Sequence, residues 1–159
     1  MRVMRVQWSA CLLAVLLPMT TSLASDEAEP KEEVYVDWQV DNYAIDKALG
    51  GLTGVAERGR AIVGDQSRGN CVACHQLPIV EVPFHGNLGP PLTGIASRQS
   101  VGMIRLHVVD QTRFNPETVM PGYYRRPAQL NRVARAVQGR TFLTAQQIED
   151  VVAYLATLK

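Results

Sequence analysis

Apolar and polar residues alternate with a helical period most clearly at the end of the chain. One apolar stripe recurs every three or four residues: Ile148, Val151, Val152, Leu155 and Leu158. Thr144, followed three residues later by Gln147, forms a capping box, a pattern that marks the N-terminus of a helix. The pattern predicts an amphipathic helix over about 145–159.

Three further helices are predicted ahead of this one. Thr53 is a candidate N-cap for a helix over about 55–64. A second helix is expected from Ser100 to about Val109, and a third over about 127–137. Since no strand-rich region and no internal repeat appear after residue 50, the domain is predicted to be all-α.

Residues 1–24 have a different pattern, which predicts a cleaved secretory signal peptide. Arg2 and Arg5 are followed by a short apolar run and by Ser22-Leu23-Ala24, the small–x–small form that signal peptidase reads. The apolar run is shorter than the roughly 20 residues that span a bilayer. We therefore expect cleavage after Ala24, export, and no membrane span in the mature chain.

Residues 25–50 are predicted to form an acidic tail and an extended arm. Valine and tryptophan alternate with more polar residues over 34–40, which we call the arm, and this period of two indicates extended backbone with one apolar face. A lone strand cannot bury that face by itself. Two interpretations stay open: the arm covers its own domain, or it binds a partner chain.

The composition suits one globular domain and excludes two classes of protein. The 159 residues are 47% hydrophobic and 19% charged, with a formal net charge of +1. A disordered chain would have fewer apolar residues and more net charge, and a nucleic-acid-binding protein would carry a strong basic excess. Aromatic residues make up only 6%, so aliphatic side chains or a bound group must fill the core.

The motif that carries chemistry is Cys71-Val72-Ala73-Cys74-His75, the C-x-x-C-H signature of c-type haem attachment. Two thiols one turn apart can reach the two vinyl groups of one haem, and the adjacent histidine is then held at the iron. A thioredoxin-like pair would need a βαβ pattern, and a zinc site would need four ligands. A plain disulfide is the remaining alternative for an exported chain. We predict one covalently bound haem c, attached through Cys71 and Cys74, with His75 as an axial iron ligand.

The second axial ligand decides what such a haem can do. The candidates after residue 24 are His85, Met103, His107 and Met120. Met120 is favoured because Pro116 and Pro121 prevent a helix around it, so that a stiff loop can present its thioether to the iron. The alternative is a loop methionine that only fills space. With His75 and Met120 both on the iron, no coordination position stays open, which predicts outer-sphere electron transfer and no catalytic residue on this chain.

The combination of the C-x-x-C-H motif with Met120 in a later loop resembles the class I cytochromes c. Gly89-Pro90-Pro91-Leu92 looks like the Gly-Pro-x-Leu loop of that family, and Ala153-Tyr154-Leu155 looks like part of its C-terminal helix. The resemblance implies that Pro90 and Leu92 lie at the haem. It also implies that the Pro90 carbonyl accepts the imidazole proton of His75, which fixes the tautomer of the ring.

The same resemblance implies a class I cytochrome c-like helical domain around one haem over residues 51–159. In that family the N-terminal and C-terminal helices cross at a small residue. Gly59 occupies the matching position here, so a side chain at Gly59 should force the two helices apart.

A narrower resemblance is to SoxX, the monohaem subunit of the SoxXA cytochromes of bacterial sulfur oxidation. It is carried by residues 69–75, 108–110, 115–125 and 143–155. The resemblance implies a periplasmic heterodimer with a SoxA-like haem subunit. In that family the heterodimer is an L-cysteine S-thiosulfotransferase that couples thiosulfate oxidatively to a cysteine of the carrier protein SoxYZ, and the sulfur chemistry belongs to SoxA. SoxX accepts the electrons and passes them to a soluble cytochrome.

Two other functions compete with this one. The first is a free-standing periplasmic class I cytochrome c, and the second is a haem-based sensor, which would need an open or easily displaced iron ligand. If the arm binds the partner, deletion of residues 25–40 should weaken the heterodimer and leave the haem spectrum intact. Four arginines lie close in sequence and could steer an acidic partner, pair with a haem propionate or form a solvated helix face: Arg125, Arg126, Arg132 and Arg135.

Overall fold

Helices account for the regular structure of the part of the chain that the computed structural model describes, residues 34–131 and 133–159. The α-helices are α1 (Ala56–Gly64), α2 (Ile95–Arg98), α3 (Val101–Asp110) and α4 (Ala145–Leu155). Short 3-10 turns lie at Leu49–Gly51, Cys71–Ala73, Gln111–Arg113, Pro127–Gln129 and Arg135–Val137. Within the described residues no strand forms, so the predicted all-α class is confirmed. The predicted signal peptide and most of the acidic tail lie outside the described residues.

Two glycines, Gly54 before α1 and Gly59 within it, let α4 approach this part of the chain closely. A Cβ atom at Gly59 would lie 1.9 Å from the carbonyl oxygen of Asp150, and one at Gly54 would lie 2.0 Å from that of Glu149. Both distances are far below van der Waals contact. The predicted crossing at Gly59 is therefore confirmed, and Gly54 is a second contact of the same kind that we did not predict.

The N-terminus of α1 is capped by α4 and not by Thr53, so that prediction was wrong. The N-cap residue is Val55, whose amide donates to Oδ1 of Asp150 at 2.8 Å. The same carboxylate accepts two hydrogen bonds from Arg58, at 2.7 and 2.9 Å. A local cap is unnecessary because the tertiary structure brings a buried carboxylate to this helix end.

The predictions for α3 and α4 are confirmed at their N-termini. Thr144 and Gln147 form the expected capping box, and Ser100 accepts a hydrogen bond from the amide of Met103 at 3.2 Å. α4 ends at Leu155, earlier than predicted, and Leu158 is half-buried beyond it.

The helix predicted over 127–137 does not form. Two separate 3-10 turns, Pro127–Gln129 and Arg135–Val137, occupy this segment. None of its described side chains is buried. A helix stabilised by propensity alone is marginal at this length, since most helical stability in proteins comes from packing an apolar face.

A buried ion pair joins α3 to α4. Arg105 and Glu149 are both less than a tenth exposed, and Nε of Arg105 donates to Glu149 at 2.9 Å. Arg105 also donates to the carbonyl of Ile45 at 2.6 Å, and Glu149 accepts from the amide of Leu49 at 2.9 Å. The pair thus fixes the segment that links the arm to the helical domain.

The arm lies on its own domain. The ring of Tyr35 stacks on that of Tyr124 with 4.9 Å between centroids, and Val36 and Trp38 are half-buried against the core. Val34 is 84% exposed. The predicted apolar face is therefore only partly realised, and the structure favours the interpretation that the arm covers its own domain.

Among residues 34–131 and 133–159, no helix combines the length and the apolar composition that a bilayer-spanning segment requires.

Candidate haem site

The cysteine motif sits on a tight turn that is held against α1. The amide of Asn70 donates to the carbonyl of Asp65 at 2.9 Å, and Asn70 itself has a φ of 47°. A Cβ atom at Gly69 would lie 2.6 Å from the carbonyl oxygen of Ile62, so only glycine allows this approach. Cys71 then begins the 3-10 turn that sets the spacing of the motif.

The two cysteines do not form a disulfide with each other. Burial raises the pKa of the Cys71 thiol to about 11, an effect that a hydrogen bond with Tyr123 only partly offsets. A redox-active pair of the thioredoxin type requires a lowered thiol pKa, because the thiolate is the reactive form. This environment therefore disfavours a dithiol redox site.

The loop after the motif orients the imidazole of His75. Nδ1 of His75 lies 2.7 Å from the carbonyl oxygen of Pro90, the hydrogen bond that the family resemblance implies. Because a carbonyl only accepts, Nδ1 carries the proton and Nε2 keeps its lone pair for a metal. Gly89 lies against the ring, where a Cβ atom would be 2.3 Å from Cε1. The amide of Leu92 donates to the carbonyl of Gln76 at 2.9 Å, which closes the loop.

Met120 lies in a non-helical loop and is half-buried. The amide of Met120 donates to Oγ1 of Thr118 at 3.1 Å. Three and four residues after Met120, the amides of Tyr123 and Tyr124 donate to carbonyls in the last turn of α3, those of Val108 and Val109, at 3.2 and 3.1 Å. These bonds anchor the loop to the C-terminus of α3.

Tyr123 connects this loop to the cysteine motif, and it was not among the predicted site residues. Its hydroxyl donates to the carbonyl of Gly69 at 2.7 Å, two residues before Cys71. The fold thereby joins the segment that carries Met120 to the segment that carries the cysteines. The only signal in the sequence was its place in residues 115–125, where the family resemblance is most specific.

The two histidines that were weighed against Met120 each have Nδ1 hydrogen-bonded within the fold, and their Nε2 atoms are buried without a hydrogen-bond partner among the described residues. Nδ1 of His85 accepts from the amide of Leu77 at 3.2 Å. Nδ1 of His107 is hydrogen-bonded to the side-chain oxygen of Gln111, and burial lowers the pKa of this imidazole.

The arginines near Met120 also have partners in this chain. Arg126 pairs with Asp37 of the arm, and Arg125 lies 3.4 Å from the carboxylate of Asp110. Arg135 lies exposed in a 3-10 turn, and Arg132 is outside the described residues.

Comparison with known proteins identifies the family. The family model described as "Cytochrome c" matches residues 56–159, a stretch that contains the cysteine motif, Met120 and α4. The chain belongs to the cytochrome c family. A comparison with curated proteins finds no match.

One solved structure is similar to this cytochrome. The cytochrome is 35% identical to a chain of the crystal structure of SoxXA from P. pantotrophus, with a TM-score of 0.69. The match covers 77% of this cytochrome and 94% of that chain. The cytochrome is thus SoxX-like, carries covalently bound haem c and transfers electrons. The predicted limits of the segment that holds the acidic tail and the arm, 25–50, and of the domain, 51–159, stay predictions.

Proposed function

We propose that this cytochrome is the electron-transfer subunit of a periplasmic SoxXA-type heterodimer. It accepts the electrons released when thiosulfate is coupled oxidatively to a cysteine of a SoxYZ-like carrier protein, and it passes them to a soluble cytochrome. The observation that carries the proposal is the 35% identity over 94% of a chain of SoxXA. The partner in this proposal is a SoxA-like haem subunit.

The proposed ligand set comes from the cysteine motif and from the loop that carries Met120. Cys71 and Cys74 would hold the haem through thioether bonds, and His75 and Met120 would bind its iron. When bound, the haem supplies a one-electron iron couple. The Pro90 carbonyl accepts the Nδ1 proton of His75, which fixes the tautomer and the orientation of the ring. The thioether of Met120 favours the reduced iron and raises the reduction potential relative to a second histidine.

The division of labour between the two subunits follows from the cysteine content. Apart from Cys71 and Cys74, the sequence contains only Cys11, which lies in the predicted signal peptide. Once both thiols are bound to haem, the mature chain has no thiol on which to carry sulfur. Coupling thiosulfate to a thiol forms one sulfur–sulfur bond and releases one proton and two electrons. A single haem accepts one electron, so the reaction needs a partner centre or two successive transfers.

Purification from the native source tests the proposal. We expect a second haem-bearing chain to copurify in equal amount, as counted by mass spectrometry and by haem content per complex. The oxidised complex should be reduced when thiosulfate and the cysteine-bearing carrier are added together, and omission of the carrier is the control. A cytochrome that purifies alone, with full haem content and no haem-bearing partner, would instead indicate a free-standing class I carrier.

A further inference from the structure

The arm makes its most extensive polar and aromatic contacts with residues that directly follow Met120. The rings of Tyr35 and Tyr124 are stacked at 4.9 Å with an interplanar angle of 10°, and Tyr124 is only 1% exposed. The amide of Val36 donates to the hydroxyl oxygen of Tyr124 at 2.9 Å. The guanidinium of Arg126 lies 4.6 Å from the centroid of the Tyr35 ring and pairs with Asp37.

The arm also contacts the chain ahead of Met120. The guanidinium of Arg113 lies 5.7 Å from the centroid of the Trp38 ring, and Trp38 is half-buried. We call residues 111–126 the Met120 loop. The arm thus touches the Met120 loop at both ends, at Arg113 and at Tyr124.

The buried carboxylate of Asp110 contacts both ends of the Met120 loop. Asp110 is 3% exposed, and its Oδ2 atom lies 3.7 Å from Nε of Arg113 and 3.4 Å from Nε of Arg125. These two arginines belong to opposite ends of the Met120 loop. The loop is therefore closed twice, by Asp110 on the inside and by the arm on the outside.

We infer that the arm is a positioning element for the axial methionine: by holding both ends of the Met120 loop, it keeps the Met120 sulfur on the iron. The inference rests on the proposed ligation by His75 and Met120. An added ligand can reach the iron only in molecules whose loop has opened and released the sulfur. The arm contacts exist in the closed loop and are lost on opening, so they lower the population of the open state.

Competition with an added ligand measures that population. Imidazole binds oxidised holoprotein only after Met120 has left, so its apparent dissociation constant depends on the fraction of open loop. Tyr35→Ala removes the stacked ring and leaves Tyr124 in place. An aromatic pair contributes roughly 0.5–1.5 kcal/mol beyond burial, so we expect the affinity for imidazole to rise about two- to tenfold. The weak near-infrared sulfur–iron absorption should decrease in parallel.

Two controls separate positioning from general stability. Val34→Ala changes an arm side chain that is 84% exposed, and we expect wild-type affinity for imidazole. Leu158→Ala removes a side chain that is partly buried against the core, so it should lower the stability of the fold without raising the affinity.

Each remaining outcome overturns the inference in a distinguishable way. Wild-type affinity in Tyr35→Ala, or an equal rise in Leu158→Ala, would show that the arm does not position Met120. Unchanged affinity together with loss of a copurifying haem-bearing subunit would assign the arm to the partner interface. If wild-type holoprotein lacks the near-infrared absorption, the proposed ligand set fails first, and the inference fails with it.

Discussion

At the scale of single residues, Gly89 controls how closely the loop after the cysteine motif approaches the iron-binding histidine proposed here. A Cβ atom at Gly89 would lie 2.3 Å from Cε1 of His75, which leaves no room for a methyl group. The same ring is hydrogen-bonded through Nδ1 to the carbonyl of Pro90. Gly89 therefore contributes to the orientation of His75 even though it has no side chain.

The substitution Gly89→Ala tests this role. We expect it to displace the His75 ring, to shift the Soret absorption of the holoprotein, and to lower the free energy of unfolding by about 1–3 kcal/mol, the usual cost of overpacking. Gly64→Ala is the matched control, because a Cβ atom there would lie at an ordinary 3.4 Å from Val82. A wild-type spectrum and denaturation midpoint in Gly89→Ala would contradict the proposed contact.

The residues of the site differ in how far the sequence could predict them. Cys71, Cys74 and His75 form a local motif whose chemistry depends only on spacing. The bond from His75 to Pro90 was implied by a family resemblance and is present. Tyr123 could not be assigned a role, because its partner Gly69 lies 54 residues away and no short pattern encodes that distance.

At the scale of helices, a cap formed by neighbouring residues could be predicted from the sequence, and a cap formed by a distant residue could not. The capping box of α4 was predictable because Thr144 and Gln147 satisfy each other within one turn. The cap of α1 was not, because its acceptor is Asp150, 95 residues after Val55. The helix predicted over 127–137 was wrong since helical propensity without a buried face is a weak signal.

Asp150 gives the α1–α4 contact a dependence on pH. Burial alone would raise the pKa of this carboxyl, but the hydrogen bonds from Arg58, Val55 and Gln146 outweigh it and hold the pKa below the ordinary value of 3.8. A carboxyl with a lowered pKa in the folded state stabilises the fold above its unfolded pKa. That contribution is lost as the pH falls below 3.8 and through the folded pKa.

The substitution Asp150→Asn should remove this dependence. We expect the free energy of unfolding to fall by about 1–3 kcal/mol at neutral pH, since a charged hydrogen-bonding group is lost. The difference from wild type at a pH below 3.8 should be smaller than at neutral pH, because the wild-type carboxyl takes up a proton as the pH falls through its lowered pKa. Denaturant unfolding at the two pH values measures both the loss of unfolding free energy and its dependence on pH. The control is Asp41→Asn, because Asp41 is exposed. A difference that stays constant over this range would show that Asp150 is not the titrating group.

At the scale of the whole molecule, a helical domain and an extended arm converge on one loop. α3 anchors the Met120 loop through Tyr123 and Tyr124, Asp110 joins its ends, and the arm covers it from outside. The sequence predicted α1, α3, α4 and the extended arm, but it left open whether the arm covered its own domain or bound a partner. Periodicity shows that a face is apolar and does not show what covers it.

The central claim is that His75 and Met120 close both axial positions of one covalently bound haem, so that this cytochrome transfers electrons and binds no reactant at the iron. The near-infrared absorption of oxidised Met120→Ala holoprotein, compared with wild type and with Met103→Leu, tests it most directly. The account predicts a weak sulfur–iron absorption in wild type and in Met103→Leu, and its loss in Met120→Ala together with a lower reduction potential. An unchanged spectrum in Met120→Ala would contradict the account.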